Sequence, residues 1–201
     1  GPELLVSHLA CAAEPDHPLN EAQLRAFHEM TDGTGLPRSL AATGGILLGS
    51  RYHFDLTRPG VGLYGGRPYD AAIPVVTLSL PVIQTREVEP GESVGYGCAW
   101  VAERPSVIAT VAAGYADGLP RTLSGKARLW DGDIPCPLVG RVSMDMITVD
   151  ITDLPETPRE LDIIGPNQGV DALADVAGTI GYELLTALGA RYTRRYQERP
   201  A

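Results

Sequence analysis

A chain of 201 residues, 44% hydrophobic and 20% charged, has the balance of a globular protein with room for one large or two modest domains, so disorder throughout is excluded. Its 25 acidic against 16 basic side chains leave a net charge of −9, which removes the extended basic footprint needed to bind nucleic acid or an anionic lipid surface. No apolar run approaches the roughly 20 residues that span a bilayer, and the first residues lack the basic and apolar regions of a secretory leader, so a soluble, cytoplasmic chain with no membrane partner is expected. Cys11, Cys98 and Cys136 form no C-x-x-C pair, so neither a disulfide framework nor a metal site is expected. All but one of the 16 basic residues are arginine, and Lys126 is the only candidate for chemistry that needs a lysine. The opening Gly1-Pro2-Glu3, without an initiator methionine, suggests a fragment or a processed product.

In chain order, Leu4-Leu5-Val6 is a short apolar run ending at Ser7-His8, and a proline-containing loop over residues 13–18 leads into a helical pattern. Asn20 with Gln23 three residues later resembles a capping box, and Leu24, Phe27 and Met30 follow at helical spacing up to a glycine stop at residues 33–35. A second unit reads Ser39-Leu40-Ala41-Ala42-Thr43-Gly44-Gly45, followed by the apolar Ile46-Leu47-Leu48. A third ends in Thr57-Arg58-Pro59-Gly60-Val61-Gly62-Leu63-Tyr64-Gly65. Each unit sets polar or glycine residues just after an apolar stretch, where the C-terminal rim of a parallel α/β sheet or barrel carries its ligand site. The Gly65-Gly66-Arg67-Pro68 stretch breaks the pattern, and a linker runs to Pro74.

From residue 75 the periodicity changes to short β-rich runs at residues 75–83, 107–113, 127–130, 138–142, 146–151 and 161–164. Turns lie between them at Pro90-Gly91, Asp131-Gly132-Asp133 and Pro166-Asn167. Two short helices at residues 171–177 and 179–188, stopped by Gly189, and a last strand at 191–196 complete a mainly β domain over residues 75–201. The fold class is therefore α/β followed by all-β, with the boundary between residues 74 and 75.

Two segments of the second domain carry most of the chemistry. Ala113-Gly114-Tyr115-Ala116-Asp117-Gly118-Leu119-Pro120-Arg121 ends a β-run in a glycine-bounded loop that presents a tyrosine to a pocket or buries it with its hydroxyl on a backbone group. Val139-Gly140-Arg141-Val142-Ser143-Met144-Asp145-Met146 reads alone as strand and turn. Together they resemble the C-terminal β-domain of alanine racemase, a pyridoxal-phosphate (PLP) enzyme family in which G-Y-A-D-G and a later G-R-x-x-M-D recur in this order. Three stretches of the first domain agree. Ser7-His8-Leu9-Ala10 resembles the family's strand-end histidine motif, Leu40-Ala41-Ala42-Thr43-Gly44-Gly45 its phosphate loop, and residues 58–65 its R-x-G-[IV]-x-x-Y-G.

The resemblance implies roles residue by residue. Tyr115 becomes one of two bases on opposite faces of the substrate Cα, the one acting on the L-enantiomer. A free tyrosine has a pKa near 10, so that role requires positive charge nearby. Arg58 becomes the donor to the pyridine nitrogen, which a guanidinium leaves unprotonated and hence a weaker electron sink, suited to a racemase. His8 supports that arginine. Thr43, Gly60 and Val61 become phosphate contacts, a hydroxyl and two backbone amides, with Gly60 allowing close backbone approach. Met144 offers its backbone N–H to the substrate carboxylate, and Asp145 lies beside it. L- and D-alanine are the implied substrates, D-alanine for peptidoglycan the implied purpose, and a homodimer with sites formed between subunits the implied assembly.

The family pattern is also incomplete. Ala42 stands where asparagine is usual, and Ala190 falls where some members hold a phosphate-binding tyrosine. The segment with the Schiff-base lysine, which is the second base, does not occur, and Lys126 lies in a turn entering a strand of the second domain. The resemblance thus covers the last part of a (β/α)8 TIM barrel and the whole β-domain, and the piece alone is expected to bind PLP weakly and to be inactive. A non-catalytic relative whose β-domain serves dimerisation, and a racemase of broader amino-acid range, are the alternative readings.

Overall fold

The computed structural model describes residues 1–197, which form two compact units divided between Val75 and Val76. In the first unit β1 (Leu5–Val6) and β2 (Arg38–Ser39) pair in parallel, Leu5 opposite Arg38 and Val6 opposite Ser39, with helix α1 (Pro18–Thr31) as the crossover. A further parallel bridge joins Ala42 to Arg58, so three successive chain segments end on one rim. Leu9, Leu24, Phe27, Leu40, Ala41 and Tyr52 form the core beneath them.

Helix α1 differs from the sequence expectation at both ends. It starts at Pro18, a residue whose fixed φ suits a first turn, and His17 is its N-cap, with Nδ1 accepting the Leu19 N–H at 3.1 Å. Asn20 lies inside the helix, and its amide donates back to the Glu14 carbonyl at 2.9 Å, tying down the preceding loop. Met30 is 68% exposed, and Thr31 occupies the buried position, its hydroxyl donating to the Phe27 carbonyl at 2.6 Å. Helix α2 (Thr43–Leu47) takes in Gly44 and Gly45, so Ile46-Leu47 continues a helical turn.

The second unit is built on β3 (Leu78–Val88), the small hairpin β4 (Ser93–Val94) and β5 (Trp100–Val101), then β6 (Ser106–Val111), β7 (Arg128–Asp131), β8 (Ile134–Val139), β9 (Ile147–Asp150) and β10 (Glu160–Ile164). Six of these close into an antiparallel barrel in the order β10-β3-β6-β9-β8-β7. This is the chain's closed barrel among the described residues. The first unit holds only the parallel pieces named above, not an eight-stranded barrel. Alternate residues point inward, and Leu80, Val111, Leu129, Val149, Leu161 and Ile163 make a core with at most 1% exposure each. Helices α3 (Val170–Ala177) and α4 (Gly181–Ala187) add Leu173, Ala174 and Leu184 to it.

Strand ends depart from the sequence reading for identifiable reasons. β3 runs on to Val88 through polar residues 84–87, because that stretch has exposed side chains while its backbone pairs with β6. β8 begins at Ile134 in spite of Pro135 and Pro137, which lie opposite Trp130 and Arg128. Residues 191–196 form no strand. No helix of the described residues is long and apolar enough to cross a membrane.

Candidate functional site

On the first unit, Arg58 stands at the parallel rim with its guanidinium fixed from two sides. Nη1 donates to Ser39 Oγ at 2.5 Å and Nη2 to the Ser7 carbonyl at 2.7 Å, and His8 Nδ1 lies 3.5 Å from Nη2. Ser39 is fully buried and its hydroxyl donates to the Leu56 carbonyl at 2.7 Å, so the arginine rests on a closed hydrogen-bond chain. His8 is exposed, and its segment is held by Gln23, whose side chain donates to the His8 carbonyl at 3.1 Å and accepts the Ala10 N–H at 2.9 Å. By its spacing from Asn20, Gln23 reads in the sequence as a capping residue. Its real partners lie 13 and 15 residues away and leave no short-range signal.

Thr43 is 5% exposed, and its hydroxyl oxygen accepts from the Gly60 N–H at 3.0 Å and the Gly62 N–H at 3.4 Å. Two backbone donors and a hydroxyl thus converge on one point. A Cβ added at Gly60 would meet nothing within 4 Å, so the space beside this backbone is open, whereas one at Gly62 would strike the Thr43 methyl at 2.8 Å. Val61, 4% exposed, opens the tight turn Val61–Tyr64. His8 and Arg58 come together at the rim, and Thr43 gathers the 60–62 turn that Val61 belongs to. Ala42 sits at the start of α2, bridged to Arg58 and without a side-chain cap.

On the second unit, Tyr115 begins the short turn Tyr115–Asp117 and is 45% exposed. Its N–H donates to the Ser143 carbonyl at 2.9 Å, and that of Ala116 to the Met144 carbonyl at 2.8 Å, so the tyrosine turn and the Met144-Asp145 turn are joined through backbone. The approach depends on Gly114: a Cβ there would lie 2.4 Å from the Met144 carbonyl carbon and oxygen. Met144 is 59% exposed and Asp145 is exposed as well, so both face outward beside Tyr115. Asp117, to which the motif gives no role, is 1% exposed and holds Gly114. Arg191, expected in a strand, instead pairs with this carboxylate at 3.3 Å. Burial, and next the Asp117 charge, push the Tyr192 phenol up to about 12.

Lys126 is exposed just before β7, as the sequence reading expects. Ala190 lies past α4, outside any regular element. Among the described residues no group of three or more His, Cys, Asp or Glu side chains could hold a metal ion.

Comparison with known proteins bears on both units. A family model described as alanine racemase, N-terminal domain, matches residues 1–68, and one described as alanine racemase, C-terminal domain, matches residues 75–196. An alanine racemase of Cereibacter sphaeroides is 71% identical over 196 residues, which is 98% of this chain and 56% of that protein. One from Dinoroseobacter shibae is 64% identical over the same shares. Among solved structures, the alanine racemase of Bartonella henselae with covalently bound pyridoxal phosphate aligns with a TM-score of 0.88 at 39% identity, over 97% of this chain and 56% of that one. The biosynthetic alanine racemase of Pseudomonas aeruginosa gives 0.86 at 44%, over 97% and 57%. The chain spans little more than half the length of the relatives it matches.

Proposed function

This chain belongs to the alanine racemase family, and we propose that it supplies the C-terminal part of a PLP-dependent enzyme that interconverts L- and D-alanine. In this reading residues 1–74 are the last part of a PLP-binding (β/α)8 barrel and residues 75–201 the C-terminal β-domain. The enzyme works in the cytoplasm as a homodimer and supplies D-alanine for peptidoglycan. The observation that carries the reading is the convergence of the Thr43 hydroxyl and the Gly60 and Gly62 amides beside open space, with the Arg58 guanidinium braced at the same rim.

These residues fit the cofactor. A dianion is held by backbone amides and a hydroxyl without a charged side chain, and the open space at Gly60 admits it. Thr43, Gly60 and Val61 would hold the phosphate, and Arg58, supported by His8, would donate to the ring nitrogen. When bound, PLP supplies the electron sink that lets the substrate Cα give up its proton. No lysine of the first unit exists to hold it covalently, and Lys126 is assigned no part.

This chain's own groups would carry substrate orientation and proton transfer on one face of the substrate. The Met144 N–H would orient the substrate carboxylate, with Asp145 at the pocket beside it. Tyr115 Oη would take the proton from L-alanine and, in the reverse direction, return one to that face to form L-alanine; the proton on the opposite face falls to the second base. Because the Tyr115 and Met144 turns are bonded to each other, base and carboxylate anchor keep a fixed spacing. The test is racemase assay of the full-length protein across amino acids with Tyr115→Phe as the key variant. A loss of about 100-fold or more in alanine turnover is expected, the scale of a positioned proton-transfer group. Unchanged L-to-D turnover would remove Tyr115 from its role.

A further inference from the structure

We propose that Asp117 is a positioning residue for Tyr115, acting through the backbone of Gly114; this rests on the reading of Tyr115 as the base for L-alanine. Asp117 is 1% exposed, and burying a carboxylate is costly unless it is paired and hydrogen-bonded. Its Oδ2 accepts the Gly114 N–H at 3.0 Å, while its own N–H donates to the Gly114 carbonyl at 3.0 Å. This reciprocal clasp spans Tyr115 and closes the turn that presents it. The same Oδ2 faces Arg191 Nη1 at 3.3 Å, which balances the charge from the solvent side, and the Asp117 carbonyl accepts the Gly189 N–H at 3.1 Å.

Tyr115 is thus set from two directions. Its N–H and that of Ala116 are tied to the Ser143 and Met144 carbonyls, and residue 114 is pinned by Asp117. Gly114 has no lateral freedom, because Met144 backbone lies where its Cβ would be. Gly118, at φ +99°, closes the turn with its Cβ direction pressed against the Ala187 carbonyl at 2.3 Å. Removing the Asp117 acceptor releases the N-terminal hinge of this turn and leaves the Ser143 and Met144 ties intact. The result is a misplaced Tyr115 hydroxyl with little change at the carboxylate anchor. Proton transfer is steeply sensitive to such displacement and binding is not.

The test uses the full-length holoenzyme with Asp117→Ala, Asp117→Asn and Tyr115→Phe. Asparagine keeps an acceptor oxygen for the Gly114 amide and alanine does not. Asp117→Ala is expected to lower kcat by roughly 10- to 100-fold with KM little changed. The deuterium isotope effect from L-[2-²H]alanine should rise while that from D-[2-²H]alanine does not. Amide exchange across residues 114–118 should quicken about tenfold, the scale of one lost hydrogen bond, and this readout is independent of turnover. Asp117→Asn should restore most of all three. Should the alanine variant fail to fold, Asp117→Ser, too short to reach the Gly114 amide, is compared with asparagine in the same way. A folded Asp117→Ala enzyme with parental isotope effects and exchange overturns the proposal, as does an asparagine variant no better than alanine. If Tyr115→Phe keeps full L-to-D turnover, the base reading itself falls. If Tyr115→Phe is inactive while Asp117→Ala behaves as the parent, the positioning role alone fails.

Discussion

The Arg58 guanidinium reaches Ser39 and Ser7 with different nitrogens of one planar group, so its orientation is decided before any ligand arrives. Lysine carries its donors on one nitrogen and lacks the planar two-nitrogen fork that spans Ser39 and Ser7. In full-length protein, Arg58→Lys should therefore weaken PLP binding and lower turnover, with equilibrium dialysis measuring the first and racemase assay the second; unchanged affinity would show that the brace is dispensable. Cys136 makes a second case. Burial, and next the Asp131 charge, raise its thiol from 9.0 to about 11. The folded form then holds its proton where the unfolded chain has lost it, so this contribution to stability is complete below pH 9 and fades on the way up to about 11. Melting temperature should fall over that interval, and a Cys136→Ser variant should show a smaller fall. The motif residues were legible in the sequence because they stand in short, ordered strings. Gln23 and Asp117 were not, since what they do depends on partners such as His8 and Arg191 that only the fold brings near.

Two glycines show how different causes produce the same residue in neighbouring elements. Gly132 turns the β7–β8 hairpin at φ +53° with nothing within 4 Å of an added Cβ, whereas Gly114 has ordinary extended backbone and no room at all. Gly132→Ala should cost about 1 kcal/mol, from backbone conformation alone. Gly114→Ala should cost about 1–3 kcal/mol or more, because Met144 backbone must move, and it should depress activity as well. Denaturant melts of the two variants check the ranking. At this scale the sequence revealed alternation and turns but misjudged β8, where Pro135 and Pro137 look like breakers. They are accommodated because a strand position needs a donor only on the side where its neighbour offers an acceptor. It also set Met30 on the apolar spacing of α1 with Leu24 and Phe27, yet Met30 is exposed, since a three-residue spacing cannot by itself distinguish the buried face from its edge.

For the whole molecule, the described residues divide into two compact units between Val75 and Val76. Barrel closure could not be read in advance, because it depends on β10 returning to both β3 and β7. The proposed dimer, with sites drawing on both subunits, gives a further prediction. Arg58→Ala and Tyr115→Phe full-length chains, each inactive, should regain about a quarter of the parental activity when mixed and reassembled, since half the dimers are hybrids with one intact site of two. No regain would place both residues in the same subunit's site.

Cohesion around the barrel is uneven. β3 and β6 pair from Gln84 opposite Thr110 to Val88 opposite Ser106, with Val82 opposite Val111 beyond a register shift, whereas β7 meets β10 at the single pair Trp130 and Asp162. Loosening of the second unit is expected to begin at that joint, and Trp130 fluorescence, read in a Trp100→Phe background, should change ahead of the global transition.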